Sequence, residues 1–563
     1  MAAHLDRDGA ALRLGTAWRW LWLLPIAFLT LFFVYPLVSI FAISLAPAGH
    51  LDLSGFVTIA TSSYYWNTLG FTIGQAALST LVTLALALPG AYVFTRYQFP
   101  GKALLAALAG LPFVLPTVVV AAAFLALIGP RGIINTWLMS VFTLYAPPIQ
   151  LERTLTLIII AHIFYNYGVA FRMLQAFWAS QSTRIEEASR SLGVAGWRLW
   201  WRIRLAMLRP ALIAAAAIIF IYNFTSFGVI VILGGARFAT LEVEIYRQIA
   251  NLFDLPTAAA LSLVQIVFMF VCLLVFTRLE RTVRLTLRGS EANARPPRRV
   301  REWALLLANS VFILVFLAAP LLALVLRAFT APSGELTLAY YAGLTSNPRG
   351  SVLSAPPTIA ISNSLAIAVV AMIIAIATGT LIAWLLYRQR ARRWIEPLLM
   401  LPLATSAVVL GFGYNVALDT PPLDLRSSAL LVPMAHALVA LPFVIRSITP
   451  VLRGIPPNLY EVARSLGTHG WGMFRRVQFP MVRRALASSA IFAFTISMGE
   501  FGATLFVVRP DSPTLPIAIF RLLGQPGEAN YGRAIALSTL LLAICALAFL
   551  MVEWVRERGS GDW

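Results

Sequence analysis

Two stretches of the chain carry the same charged, glycine and tryptophan residues at the same spacing. Residues 187–212 recur as residues 461–486, 274 positions later, with twelve identities in twenty-six positions. The pattern is carried by Glu187, Arg190, Gly193, Gly196 and Trp197 in the first copy and by Glu461, Arg464, Gly467, Gly470 and Trp471 in the second. A glycine after a short helix permits a sharp turn, and an apolar, Trp-bearing face fits a groove on another protein. The types and spacing of these residues therefore predict a segment that docks on another protein.

An amphipathic helix that rests on anionic lipid headgroups is the alternative interpretation, because basic and Trp-rich segments often bind there. Lipid contact needs the apolar and basic face, but it does not need a carboxylate and a glycine turn at fixed spacing. Since both features occur twice at equivalent positions, the duplication favours a docking element.

A second group of polar side chains lies inside apolar segments, where such groups are costly unless they face protein or water. The group comprises His162, Tyr165, Asn166, Tyr222, Asn223 and Ser226 in the first half and His436, Thr495, Ser497 and Glu500 in the second. These residues are candidates for a translocation pathway. The alternative is that each one forms a hydrogen bond between packed helices.

Glu500 is the most informative member of this group. Counted from Arg484 at about 1.5 Å per residue, it lies roughly 24 Å along its helix, toward the external side. Its carboxylate can meet a cationic solute, or it can pair with Arg509 or Arg521. The sequence leaves both possibilities open.

The sequence contains no motif for nucleotide hydrolysis or covalent catalysis. Its only lysine, Lys102, follows Pro100 and Gly101 and precedes an alanine, so the first glycine and the hydroxyl of a phosphate loop are missing. Cys272 and Cys545 lie in apolar segments and are too few for a disulfide framework. We predict that the chain is not an enzyme and holds no metal or cofactor of its own.

Membrane-spanning helices must position these residues. Of the 563 residues, 60% are hydrophobic and 12% are charged, which leaves too little polar surface for a soluble protein. Apolar runs of about 20 residues, the length that spans a bilayer, predict an all-α polytopic membrane protein with about 12 transmembrane helices in two parallel six-helix repeats. The runs lie near 20–45, 68–94, 103–128, 154–178, 209–233, 256–278, 302–327, 364–387, 397–417, 428–449, 484–508 and 533–555.

The net charge of +20 is divided among the connections between these runs, so it does not form one basic face for nucleic acid. When the N-terminus is placed in the cytoplasm, every arginine-dense connection also lies there, as the positive-inside rule requires. We therefore predict a multi-pass protein of the bacterial cytoplasmic (inner) membrane with both termini cytoplasmic. The first span is expected to be a retained anchor, because no cleavage site follows a short apolar core.

The two repeated stretches resemble the cytoplasmic signature loop of permease subunits of bacterial importers driven by ATP-binding cassettes. That loop begins with Glu-Ala-Ala, continues with Gly and ends with an apolar residue and Pro. Residues 187–189 read Glu-Ala-Ser, and Ala206 stands where the Pro is usual. Residues 461–463 read Glu-Val-Ala, and Pro480 keeps the usual Pro.

The resemblance implies a cytoplasmic coupling helix in each repeat. It also implies that Glu187 and Glu461 contact ATPase subunits, while Gly193 and Gly467 shape the turn of the coupling helix. The charged, Pro-containing segment 295–299 separates the two repeats. The predicted organisation is a cytoplasmic N-terminus 1–19, a first permease half 20–278 with a first coupling loop 184–209, a cytoplasmic linker 279–301, a second permease half 302–556 with a second coupling loop 450–484, and a tail 557–563.

Fused two-half chains are similar to the iron(III) and thiamine branch of these permeases, and residues 226–229, 239–246 and 499–502 look most like thiamine (thiamine pyrophosphate) permeases. The resemblance implies import by alternating access, with two copies of a cytoplasmic ATPase subunit that hold ATP and magnesium, an extracytoplasmic solute-binding protein and membrane lipid as partners, and no nucleic acid. An importer for iron(III) or another small solute is the first alternative. An ion-gradient-driven secondary transporter is less favoured, because few acids lie at membrane depth.

Overall fold

The computed structural model describes residues 21–47, 49–181, 183–235, 237–286, 294–347, 351–388, 399, 401–419 and 423–557. Helices form along the apolar runs. The α-helices are Leu23–Leu29, Tyr35–Leu45, Ser54–Thr61, Ser63–Arg96, Lys102–Gly110, Thr117–Ile128, Ile133–Phe142, Leu155–Ala179, Thr183–Ser191, Gly196–Leu199, Leu205–Phe224, Gly228–Leu233, Leu241–Arg247, Leu255–Thr286, Val300–Ile313, Ala319–Ala328, Ala339–Ala342, Pro357–Arg388, Leu401–Ala404, Ala407–Ala417, Leu431–Gly454, Pro457–Ser465, Trp471–Met473, Phe479–Gly499, Thr504–Val507, Leu515–Leu523 and Glu528–Glu557. Five π-helical segments, Thr30–Val34, Trp200–Arg204, Gln248–Leu252, Leu314–Ala318 and Phe474–Gln478, and two 3-10 turns, Leu111–Val114 and Gly343–Thr345, complete the described helices.

Eleven helices among the described residues are long and apolar enough to cross a membrane. They are Leu23–Leu45, Ser63–Arg96, Thr117–Phe142, Leu155–Ala179, Gly196–Phe224, Leu255–Arg278, Val300–Ala328, Pro357–Tyr387, Leu431–Arg453, Trp471–Gly499 and Glu528–Val555. The prediction of an all-α polytopic fold is confirmed. The remaining predicted span, 397–417, lies partly outside the described residues, and its described part contains the 11-residue helix Ala407–Ala417.

The predicted span 103–128 is divided into two helices. The helix Lys102–Gly110 continues into the 3-10 turn Leu111–Val114, and a new helix begins at Thr117. Between them Leu115 is extended, with ψ of 143°. Pro116 explains the break, since proline disfavours helical backbone in the residue before it and cannot donate a helical hydrogen bond.

The described helices form two compact units, and each unit contains helices from both halves of the sequence. One unit consists of the described parts of Met1–Asp52, Thr358–Ile517 and Leu547–Trp563. The other consists of the described parts of Leu53–Pro357 and Ala518–Ala546. The predicted halves are defined by the repeated sequence, whereas these units are defined by which helices pack together. The boundaries of the two divisions therefore differ.

In the first of these units, the leading helix of the chain packs on a helix from the second half of the sequence. Tyr35–Leu45 lies against Ala407–Ala417. The two backbones approach so closely that a Cβ at Gly413 would lie 2.9 Å from Pro36 Cβ and 3.2 Å from Ile40 Cδ1. A glycine is therefore required at this crossing.

In the other unit, the leading helix of the second half packs among helices of the first. The ring of Phe312 in Val300–Ile313 lies 5.5 Å from the ring of Tyr167, and the rings of Phe164 and Phe316 are 6.3 Å apart. Aromatic pairs at such distances stabilise packing beyond the area that they bury. The leading helix of each half is thus held mainly by the other half of the sequence.

Candidate functional site

The first coupling loop contains a glycine turn with a defined hydrogen-bond pattern. The helix Thr183–Ser191 is followed by Gly193, whose φ is +80°. Gly193 N donates to Arg190 O at 3.0 Å, and Val194 N donates to Ser189 O at 3.0 Å. This pair of bonds is the Schellman arrangement, which satisfies the last carbonyl groups of a helix and places a glycine in the left-handed region.

The second coupling loop contains the same turn. Gly467 has φ of +76°. Its N–H donates to Arg464 O at 2.9 Å, and Thr468 N donates to Ala463 O at 2.9 Å. Every donor and acceptor lies 274 positions after its counterpart in the first loop, so the repeat includes backbone geometry as well as residue types.

Each coupling loop then enters its membrane-spanning helix through a second glycine and a π-helical turn. Gly196 and Gly470 have φ of +58° and +53°. The π-helical turns are Trp200–Arg204 and Phe474–Gln478, again 274 positions apart. Because π-helical turns are rare and frequently occur at functional sites, their duplication supports one shared role for the two loops.

The predicted docking residues are on the surface. Trp197 and Trp471 are 71% and 74% exposed, and the leucines before the glycine turns, Leu192 and Leu466, are 84% and 77% exposed. The charged members Glu187, Arg190, Glu461 and Arg464 are also exposed. Exposed apolar side chains surrounded by charges are typical of a protein interaction surface.

Sequence reasoning missed Glu186, the carboxylate next to Glu187. Glu186 points inward: Arg204 Nε donates to Glu186 Oε2 at 3.3 Å, and a shorter bond joins Arg204 Nη2 to Glu186 Oε1. Arg190 Nη2 lies 2.6 Å and Arg96 Nη2 lies 4.0 Å from Glu186 Oε1. Burial alone would raise the pKa of Glu186, but the bond with Arg204 and the nearby arginine charges hold it below its ordinary value.

Repetition could not reveal Glu186, because its counterpart in the second coupling loop is Tyr460. The counterpart of Arg204 is Gln478. Gln478 Nε2 lies 3.5 Å from Tyr460 Oη, and the ring of Tyr460 stacks on the ring of Tyr387 at 6.5 Å. The same two positions therefore meet in both loops, with charged side chains in the first and uncharged side chains in the second.

The first-half pathway candidates form a buried hydrogen-bond network. His162 Nε2 lies 2.8 Å from Ser226 Oγ, and His162 Nδ1 lies 3.2 Å from Ser79 Oγ. Asn166 Nδ2 donates to Asn223 Oδ1 at 2.8 Å. Such bonds between helices are the packing alternative raised from the sequence.

The two remaining first-half candidates, Tyr165 and Tyr222, are partly buried, as Ser226 is. The ring of Tyr222 lies 5.7 Å from the ring of Phe113. The network includes His162, Asn166, Asn223 and Ser226, together with Ser79, which no sequence signal indicated.

The second-half candidates centre on His436. His436 Nδ1 lies 2.7 Å from Ser497 Oγ, and His436 Nε2 lies 2.7 Å from Thr504 Oγ1 and 3.3 Å from Glu500 Oε2. Thr495 is also buried, and its hydroxyl donates to its own helix at Ile491 O, 2.8 Å away.

Glu500 is the buried acceptor of this cluster. Its Oε1 accepts from Ala503 N at 2.8 Å, and its Oε2 accepts from Thr504 N at 2.9 Å and from the Thr504 hydroxyl. The pairing with Arg509 considered from the sequence is not observed, because Arg509 donates to Ser427 O at 3.1 Å and approaches Asp511. The reason is local: the chain turns directly after Gly499, and the carboxylate binds the N–H groups of that turn.

Comparisons with known proteins agree with these features. Residues 137–285 and 375–559 match the family described as "Binding-protein-dependent transport system inner membrane component". The thiamine transport system permease protein ThiP of Salmonella typhimurium is 26% identical over 544 residues, which cover 94% of this chain and 96% of that protein. ThiP of Escherichia coli strain K12 is 27% identical over 512 residues, 88% of this chain and 90% of that protein. ThiP of Haemophilus influenzae is 27% identical over 534 residues, 94% of this chain and 95% of that protein.

The two matched regions lie in the two halves of the sequence, and each contains one coupling loop. Together they include more than half of the chain. Membrane-spanning helices, a duplicated glycine turn and this match lead to one conclusion. The chain belongs to the family of inner membrane components of binding-protein-dependent transport systems.

Proposed function

We propose that this chain is the transmembrane permease subunit of an ATP-binding-cassette importer that carries thiamine or thiamine pyrophosphate across the cytoplasmic membrane. The duplicated glycine turn, with its identical hydrogen bonds 274 residues apart, carries the permease assignment. The solute is supported by relatives named as thiamine transport permeases that align with up to 94% of the chain.

Two separate ATPase subunits dock on the two coupling loops, and ATP and magnesium bind to those subunits. An extracytoplasmic binding protein delivers the solute. Closure of the ATPase pair on ATP moves the coupling helices and thereby switches the permease between its outward and inward states. The chain itself makes and breaks no covalent bond, and both of its termini lie in the cytoplasm, as the positive-inside rule supports.

The exposed apolar side chains of the loops are suited to this transfer. A fully buried Trp covers about 150–250 Å², which corresponds to about 4–6 kcal/mol of hydrophobic free energy at about 25 cal/mol per Å². Reversing a two-state equilibrium from 1:99 to 99:1 requires about 5.5 kcal/mol of differential binding. The hydrophobic free energy from burying Trp197 and Trp471 is therefore large enough to reverse the equilibrium between the two states. It does so when the ATPase buries these side chains in one state and not in the other.

The buried carboxylate supports a division of labour between this chain and the binding protein. Glu500 accepts two backbone N–H groups and lies beside His436, so its bonding capacity is used inside the protein. The Glu500 carboxylate is therefore engaged by the protein itself and does not recognise a cationic solute on its own. Solute selection belongs mainly to the extracytoplasmic binding protein.

The test is solute-stimulated ATP hydrolysis in liposomes that contain the chain, its ATPase and its binding protein. Thiamine, thiamine pyrophosphate and ferric iron are compared at equal concentrations. Stimulation by the thiamine compounds supports the proposal. Stimulation by iron alone would retain the importer and replace the solute, whereas failure of any ATPase to co-purify with the chain would overturn the importer itself.

A further inference from the structure

The two coupling loops are built alike but are attached to the protein by different chemistry. Glu186 and Arg204 meet in the first loop, and Tyr460 and Gln478 meet at the same two positions of the second. The first pair consists of opposite charges. The second pair has no charge, so the attachment differs in strength and in its response to salt.

The Glu186 carboxylate joins three separate parts of the fold. Glu186 lies on the helix Thr183–Ser191, Arg204 ends the π-helical turn, and Arg96 ends the helix Ser63–Arg96. The side chains of Glu186 and Arg204 are each only 14% exposed. Removing one member of a largely buried ion pair leaves the other charge uncompensated, which makes the pair a strong constraint on geometry.

Aromatic rings enclose the arginine of this pair. The Arg204 guanidinium lies 5.0 Å from the ring centre of Tyr92 and 5.4 Å from that of Trp200. The Tyr92 and Trp200 rings contact each other edge to face, with centres 5.4 Å apart. Cation–π contacts of this kind fix the direction of a guanidinium group, so Arg204 offers Glu186 one orientation.

The network extends to the segment that connects the two halves of the sequence. Arg295 N donates to Arg96 O at 3.2 Å, and Gln98 N donates to Arg295 O at 3.0 Å. The Arg295 guanidinium lies 5.5 Å from the ring centre of Tyr97 and bonds to Glu302 Oε1 at 2.5 Å. The end of the linker is therefore attached to the backbone of the residue whose side chain approaches Glu186.

We propose that Glu186 is the positioning residue of the first coupling loop, held by an ionic network that reaches the inter-half linker, and that the second loop is positioned by the uncharged Tyr460 contacts. The two ATPase docking sites are then mechanically different. Loss of charge at Glu186 loosens the first loop alone. The consequence for coupling rests on the proposed function, whereas the positioning itself does not.

The first experiment measures loop mobility without any partner protein. The native Cys272 and Cys545 are first replaced in the full-length chain. Nitroxide labels are then attached at Ser191→Cys or Ser465→Cys, two exposed equivalent positions, and the labelled chain is reconstituted in liposomes. We expect Glu186→Gln to shorten the rotational correlation time at position 191 roughly twofold and to leave position 465 unchanged. High salt should change the mobility at position 191 much less than the substitution does, because a largely buried ion pair is only weakly screened. The matched control is Glu335→Gln, which neutralises an exposed carboxylate.

Two further variants keep the proposal testable if Glu186→Gln inserts poorly. Arg204→Lys keeps the charge but loses the planar, stacked guanidinium, and it should also mobilise position 191. The double exchange Glu186→Arg with Arg204→Glu should not restore the wild-type spectrum, because it places a positive charge beside Arg96 and Arg190 and an anion against the rings of Tyr92 and Trp200. Wild-type mobility at position 191 in both Glu186→Gln and Arg204→Lys would overturn the proposal.

The second experiment measures coupling in the complete importer. We expect Glu186→Gln to raise the ATP hydrolysed per solute imported, while Tyr460→Phe changes this ratio much less. An unchanged ratio in Glu186→Gln would contradict the coupling role. If the importer shows no transport with any chain, the proposed function fails, but the label experiment still decides the positioning role.

Discussion

His436 Nε2 lies 3.3 Å from Glu500 Oε2, and the equivalent atoms of the first half are His162 Nε2 and Ser226 Oγ, 2.8 Å apart. Both pairs are separated by the same 64 residues, and the two pairs are 274 residues apart. The repeat has therefore kept a buried histidine and its contact while exchanging a hydroxyl for a carboxylate. That exchange makes the second contact the more costly one to disrupt.

We expect Glu500→Ala to destabilise the protein by about 3–5 kcal/mol, because it leaves the buried N–H groups of Ala503 and Thr504 without their acceptor and removes the carboxylate beside His436. Ser226→Ala removes one hydroxyl contact and should cost about 1 kcal/mol. Thermal unfolding in detergent compares the two variants with the wild type. Equal losses would show that the carboxylate does not hold the turn after Gly499.

Alanine substitutions at the glycines of the two coupling loops test whether the left-handed backbone of each turn is needed. No heavy atom lies within 4 Å of a Cβ built at Gly193 or Gly467, so alanine there opposes only the positive φ, at a cost of about 1–2 kcal/mol. ATP-coupled uptake should fall for both variants. Gly74→Ala is the control: its Cβ also meets nothing within 4 Å, but its helical backbone suits alanine. Similar uptake by all three variants would contradict the need for the turn.

The exposed carboxylates Glu187 and Glu461 are predicted to contact the ATPase. The double variant Glu187→Arg with Glu461→Arg places like or unpaired charges at that contact, and we expect it to abolish uptake while membrane insertion stays intact. Glu335→Arg, a charge reversal at another exposed carboxylate, should transport normally. Normal uptake by the double variant would remove the docking role of both carboxylates.

The lowered pKa of Glu186 predicts a pH-dependent contribution to stability. Ionised Glu186 stabilises the fold at pH values above its ordinary pKa of about 4.3. This contribution is lost as the pH falls through the lowered pKa of the folded state. The difference in unfolding temperature between wild type and Glu186→Gln should therefore be constant near neutral pH and shrink in acid. A difference that does not depend on pH would mean that the charge of Glu186 does not contribute.

Features of the fold that follow from amino-acid composition or from the internal repeat could be predicted from the sequence. Apolar runs located the spanning helices, and the repeated glycines located both turns, because a left-handed turn restricts the residue type. Pro116 could have indicated the break in the span 103–128, but hydropathy alone conceals it, since both helices are apolar.

Contacts between distant residues could not be predicted from patterns. Glu186 and Glu187 are adjacent acids, yet Glu186 is partly buried against Arg204 and Glu187 is exposed, and nothing in the local sequence distinguishes them. Glu500 contacts His436, which lies 64 residues earlier in the sequence. Only the matching 64-residue spacing of His162 and Ser226 hinted at this relationship.

The packing of Tyr35–Leu45 on Ala407–Ala417 has a consequence for biogenesis. About 370 residues separate these helices, so at about 5–20 residues per second a ribosome needs roughly 20–70 s to supply the partner of the first helix. During that time the surface of Tyr35–Leu45 that packs on Ala407–Ala417 lacks this partner. The contact between these two helices can therefore form only after much of the second half has been synthesised, and a nascent chain that stops after the first half leaves its earliest helix without its final neighbour.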